Sequence, residues 1–218
     1  YGIYASSVYL LALPGGWIGD RILGQQKAIL YGGLIITLGH FILAINFTST
    51  FFFGLTFVVL GTGLLKPNIS ALVGSLYHKK ENLKQSGFTL FYMAINVGSV
   101  LGFFICGYLG EKIGWHYGFS AAGFGMALGI LRYKYNLPIL GNIGLKPNLQ
   151  ITHSEKRRDI KLVLISLVII CSILLSGTLG IVKFNPVPLA NILTLIISLI
   201  AILYFFSNPF FSASIAKF

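Results

Sequence analysis

The chain has 218 residues, of which 56% are hydrophobic and only 10% charged, against roughly 25% charged in an average soluble domain. So few charges cannot cover that much apolar surface in water, which excludes a soluble fold. The formal charge of +11 does not mark a nucleic-acid binder either, because the basic residues lie between long apolar runs and form no single basic face.

Seven apolar segments follow one another near 3–23, 27–45, 51–76, 88–110, 115–135, 160–182 and 187–206. A run of about 20 residues crosses the bilayer core, where every backbone polar group must be paired within its own segment, so these segments are expected to be helices. The fold class is therefore all-α, a polytopic membrane protein. The chain begins Tyr1-Gly2-Ile3, with no basic leader and no initiator Met. The connections alternate in charge. Arg21 and Lys27 flank the first, 46–50 has none, Lys79, Lys80 and Lys84 mark the third, and Glu111 and Lys112 the fourth. Arg132, Lys134, Lys146, Lys156, Arg157, Arg158 and Lys161 crowd the stretch after the fifth segment. The positive-inside rule makes the basic connections cytoplasmic, so the first segment starts outside and one preceding span is expected.

The domains read as a five-span bundle at 1–135, a cytoplasmic linker at 136–159 rich in Pro, Gly and charge, a two-helix hairpin at 160–206 and an unpatterned tail at 207–218. The hairpin carries no charge over 162–182, which suits a lipid-facing position. Gly15/Gly19, Gly98/Gly102, Gly114/Gly118 and Gly125/Gly129 are small residues four apart, a spacing that lets membrane helices approach closely. Cys106 and Cys171 lie in apolar runs as small hydrophobes, and the four His lack ligand spacing, so no disulfide framework, metal or cofactor is expected. No Ser/His pair, paired Asp or His-Glu-x-x-His motif falls at membrane depth, so no enzyme is expected.

Lys66 is the most informative residue. It lies inside an apolar span, in Gly61-Thr62-Gly63-Leu64-Leu65-Lys66-Pro67-Asn68. A lysine at the bilayer centre costs about 2.5–3.5 kcal/mol on insertion scales, so it marks a functional site by default. Snorkelling to the interface is the competing reading, but Lys66 stands about 16 Å from the cytoplasmic end of its span. Pro67 removes a backbone donor, frees the Gly63 carbonyl and predicts a kink. The acids Asp20, Glu81, Glu111, Glu155 and Asp159 all map to connections or span ends. The partner of Lys66 is therefore expected to be a substrate anion or a carboxylate outside this chain. Asn96, about 12 Å into its span, and Tyr9, about 16 Å above Asp20, fall at similar depth on two other helices. Such a midplane polar layer is where transporters bind substrate, although Asn96 also suits an interhelical hydrogen bond and Tyr9 ordinary packing.

Three stretches together resemble the proton-dependent oligopeptide transporter family of the major facilitator superfamily. Gly15-Gly16-Trp17-Ile18-Gly19-Asp20-Arg21-Ile22-Leu23-Gly24 is similar to the superfamily's loop signature, Lys66-Pro67-Asn68 is the second, and Phe91-Tyr92-x-x-Ile95-Asn96-x-Gly98-Ser99 is the most specific. The resemblance implies a partial N-terminal major facilitator bundle, spans two to six of twelve, followed by the extra two-helix hairpin of bacterial members. It implies proton-coupled symport of di- and tripeptides across the cell membrane. Lys66 would meet the peptide carboxylate and take part in proton coupling. Asn96 would bind the peptide's amino end or backbone, and Tyr9 would line the pocket. Gly15, Gly16, Asp20, Arg21 and Gly24 would belong to a cytoplasmic gate. The family's Glu-x-x-Glu-Arg first span and its second six-helix half have no counterpart in this sequence, so a transport-incompetent fragment is expected. Another major facilitator carrier of small polar solutes or drugs, and a non-functional remnant, remain as alternatives.

Overall fold

The computed structural model describes residues 2–45, 47–78, 81–149 and 151–178, together with 192, 195, 196, 198 and 199. Over these residues the chain is all-α. Helix α1 (Gly2–Ile18) runs into a π-helical turn at Gly19–Leu23 and is followed by α2 (Gln25–Leu43) and α3 (Thr48–Leu76). Then come α4 (Glu81–Gly102), a second π turn at Phe103–Gly107 that leads into α5 (Tyr108–Lys112), α6 (Trp115–Leu140) and α7 (His153–Thr178). Among the described residues, Gln25–Leu43, Thr50–Leu76 and Asn82–Lys112 are long and apolar enough to cross a membrane by themselves. The expected hairpin helix at 187–206, those five residues apart, and the tail at 207–218 lie outside the described residues.

Of the stretch expected as a linker, 136–159, both ends are helical and the connection between Leu140 and His153 is not. α6 continues through Pro138 to Leu140, and α7 starts at His153. The early start of α7 has a local cause. Thr152 and Glu155 form a capping box: the Glu155 carboxylate accepts the Thr152 backbone N–H at 2.9 Å and its hydroxyl at 2.7 Å. The Glu155 N–H points back to the Thr152 hydroxyl at 3.4 Å. Two orphan donors of the first turn are thereby satisfied before the apolar run begins.

The core sits around α2. Its buried Ala28, Ile29, Ile36 and Leu43 meet Val58, Val59 and Leu72 of α3 and Ile130 of α6. The α2–α3 contact is backbone on backbone. A Cβ on Gly61 would lie 2.6 Å from the Gly32 carbonyl oxygen, and one on Gly54 would lie 2.9 Å from the Gly39 carbonyl oxygen. Two glycines seven apart on each antiparallel helix thus face each other, a spacing outside the four-residue pairs singled out in the sequence. Of those pairs, Gly15/Gly19 packs tightly on α3 and Gly118 on the Cys106 carbonyl, while Gly98, Gly102, Gly125 and Gly129 have nothing within 4 Å of a Cβ position among the described residues.

α4 meets α3 at its N-terminal end, where Gly74 lies beside Phe88 and Gly87 beside the Tyr77 ring. From Tyr92 to Leu101 every α4 residue is exposed.

Gly61→Val should lower the stability of the detergent-solubilised chain by about 1–3 kcal/mol, because the added carbons enter occupied space. Gly98→Ala should change it by less than about 0.5 kcal/mol. Thermal unfolding followed by circular dichroism checks both, and equal losses would contradict this packing.

Candidate functional site

The α1–α3 crossing positions the first two candidates. Pro67 lies inside α3, and its missing N–H leaves the Gly63 carbonyl without its intrahelical donor. A Cβ built on Gly15 would fall on that carbonyl oxygen, so the Gly15 Cα–H points directly at it. Such Cα–H···O contacts contribute about 0.5–1 kcal/mol. One turn further on, Asn68 is fully buried, and its Nδ2 donates to the Gly15 carbonyl at 2.9 Å and to the Leu64 carbonyl at 2.7 Å. Its Oδ1 occupies the place a Cβ on Gly19 would need, and Gly16 lies against the Pro67 ring. Pro67, Asn68 and the three glycines Gly15, Gly16 and Gly19 thus form one joint between α1 and α3.

On this joint the Lys66 ammonium sits 4.7 Å from the centroid of the Tyr9 ring. A helical side chain leans toward the N-terminus of its helix, so Lys66 reaches toward Tyr9 and away from the C-terminal end of α3. The cation–π contact contributes about 0.5–1 kcal/mol at an exposed site. Tyr9 is 68% exposed, and Lys66 is exposed too. Among the described residues no carboxylate comes within ion-pair distance of Lys66; both recorded ion pairs belong to Asp159. Asn96 is exposed on α4 and makes no hydrogen bond among the described residues. The structure brings Tyr9 and Lys66 together and leaves Asn96 on a separate helix. Cavities of about 510 Å³, lined by Asn82, Gln85, Ser86, Thr89 and Leu90, and of about 330 Å³, lined by Asn142, Gly144, Leu145, Lys146 and Asn148, contain none of the three.

The loop motif at the C-terminal end of α1 clasps the segment before α7. Gly24, at φ 80°, turns the chain from the π turn into α2, and its N–H closes on the Gly19 carbonyl at 2.9 Å. A side chain would be strained at that φ and would also strike the Leu145 carbonyl. The Asp20 carboxylate accepts from Asn148 Nδ2 at 2.8 Å, and its backbone carbonyl accepts the Leu149 N–H at 3.0 Å. Arg21 lies over the Trp17 ring and donates through Nε to Asp159 at 2.9 Å. Asp159 is 1% exposed and Arg21 20%, so this is a buried ion pair at the root of α7.

Gln26 completes the clasp. Its side chain donates to the carbonyls of Gly141 at 2.9 Å and Ile143 at 2.8 Å, and its backbone N–H donates to the Gly144 carbonyl at 2.9 Å. Sequence reasoning missed Gln25, Gln26, Asn68, Asn148 and Asp159 as structural groups. The available signals were two amides immediately after the Gly24 turn and an amide directly after the membrane proline.

The sequence pattern of the POT family (PTR2) matches residues 26–174. A peptide transporter of Yersinia enterocolitica is 37% identical over 212 residues, 94% of this chain and 42% of that protein. A di-/tripeptide transporter of Lactococcus lactis subsp. cremoris is 38% identical over 209 residues, covering 93% of this chain and 41% of its own length. The crystal structure of a peptide transporter POT in complex with sulfate superposes with a TM-score of 0.82 at 34% identity, over 95% of this chain and 43% of the other. The chain thus spans about two-fifths of the length of these relatives.

Two outcomes test the clasp. Asp159→Ala leaves Arg21 buried without its partner, a change that costs about 3–5 kcal/mol in comparable sites. Hydrogen exchange at the Leu149 and Gln26 amides should then speed up while the α2–α3 core stays protected. Glu155 is held below the usual carboxylate range, first by the Thr152 backbone N–H and then by the Thr152 hydroxyl. Its cap is complete above the ordinary glutamate pKa and is lost as pH falls through the lowered one. A carboxyl NMR titration should show Glu155 moving back toward an ordinary glutamate in Thr152→Ala.

Proposed function

Because the chain belongs to the POT family, we propose that the Tyr9–Lys66 pair is part of the substrate site of a proton-coupled symporter of di- and tripeptides. One observation carries the reading: a lysine inside an apolar helix is held by an aromatic ring, with no carboxylate beside it among the described residues. The anion that suits this ammonium is the carboxylate of a peptide, and a charge-assisted hydrogen bond in a low-dielectric site gives it strength. Tyr9 keeps the ammonium turned toward the membrane interior. Asn96, on its own helix, offers an amide to the peptide's amino end or backbone. Binding near the midplane between two rocking halves is the general design of such carriers, so the complete protein would supply the opposite wall. The inward proton gradient is the driving force, without a cofactor, and the cell membrane is the site of action.

The test is uptake of a labelled dipeptide by cells that lack their own peptide carriers and express the complete protein. Lys66→Ala should abolish proton-driven accumulation, with peptide affinity down by at least about 30-fold, as expected for loss of one member of a buried charge pair. Tyr9→Phe keeps the aromatic face and should stay within about threefold of the wild type. Undiminished accumulation by Lys66→Ala, or competition by free amino acids as strong as by dipeptides, would overturn the reading.

A further inference from the structure

α7 has two distinct sides. Glu155, Asp159, Val163 and Ile170 are its less exposed residues, and at about 100° per residue they form one stripe, the stripe that Arg21 grips. Both acids of this segment belong to it and both are engaged, Asp159 with Arg21 and Glu155 with Thr152. Arg158 stands 3.6 Å from Asp159 and shares that charge. Arg157 and Lys161 lie about 160° round the helix from Asp159, on the opposite side. Both are exposed and no acid faces them from their own helix. The same outward line continues through Leu164, 57% exposed, and Val168, 64% exposed.

Depth gives this line a second property. The uncharged run begins at Leu162, directly after Lys161, and Arg157 lies about 7.5 Å before it along the axis. Both cations therefore stand at headgroup level, within roughly one Debye length of the hydrocarbon edge. The Arg21–Asp159 ion pair fixes the rotation of α7, so these side chains are held on the side away from Arg21.

We propose that Arg157 and Lys161 bind the phosphate headgroup of an anionic phospholipid of the cytoplasmic leaflet, whose acyl chain lies along Leu164 and Val168. The proposal rests on the membrane reading of the chain and not on peptide as the substrate. Arg157 offers a planar fork to the phosphate oxygens and Lys161 a point charge beside it. A zwitterionic lipid gains less, because its own cation opposes both. A soluble phosphate has the charge but lacks the chain that fills the apolar half of the line.

The test is native mass spectrometry of the chain released from detergent with equimolar phosphatidylglycerol and phosphatidylcholine of matched acyl chains. At about 1 kcal/mol for each of two cations, the wild type should retain phosphatidylglycerol about 30-fold over phosphatidylcholine. Arg157→Gln/Lys161→Gln should bring the ratio close to unity, whereas Arg157→Lys/Lys161→Arg and Arg158→Gln should keep most of it. Circular dichroism reports whether each variant folds. If the double variant does not, the single variants Arg157→Gln and Lys161→Gln carry the test, each expected to lose about fivefold. Equal retention of the two lipids by the wild type, an unchanged ratio in the folded double variant, or displacement of the lipid by excess inorganic phosphate would overturn the proposal.

Discussion

A proline inside a membrane helix leaves a carbonyl that no water can reach, and the arrangement of α1 against α3 follows from that constraint. The freed Gly63 carbonyl is met by the Gly15 Cα–H, which requires a glycine there and brings the two backbones into contact. Asn68 then fits into the gap, bridging to the Gly15 carbonyl with its amide while its oxygen lies over Gly19. A larger residue at any of these positions would separate the helices. That separation would pull Tyr9 away from Lys66, because the two sit on opposite sides of this joint. The position of the charged group thus depends on how the structure resolves a backbone defect at the Gly63 carbonyl, three residues away from it.

The C-terminal end of α1 is built on a different principle. Between the helices the contacts are glycine on backbone; at this end they are amides and ions. Gln26 satisfies three groups of the 141–144 turn, Asp20 holds 148–149, and Arg21 holds Asp159. A buried ion pair is weak evidence for stability, because its desolvation offsets most of its attraction. Its directional value is greater: it sets which side of α7 faces the π turn at Gly19–Leu23. The motif that resembles a gate therefore also serves as the seat of the helix beyond the bundle.

How much of this was legible varied with the range of the interaction. Capping is local, and Thr152-x-x-Glu155 stood in the sequence as a readable start for α7, masked by the weight given to the apolar run that begins at Leu162. The seven-residue glycine spacing in α2 and α3 was also present, but it identifies a contact only once the two helices are known to be neighbours. At Gly98/Gly102 and Gly125/Gly129 the four-residue spacing meets no neighbour among the described residues. Spacing shows that a helix has a small-residue face; it does not say what meets that face.

The sequence by itself determined the all-α membrane class of the molecule and the chemical oddity of Lys66, because each follows from composition and local runs under the rules of a bilayer. The resemblance carried by Lys66-Pro67-Asn68 and the Asn96 segment also pointed to the family that the comparisons then established. Only the tertiary structure decided that Lys66 faces Tyr9, that Asn68 closes the α1–α3 joint, and that Asp159 pairs with Arg21 across 138 positions of chain. These are contacts between groups far apart in sequence. Their strength depends on burial and direction, and neither exists until the helices pack.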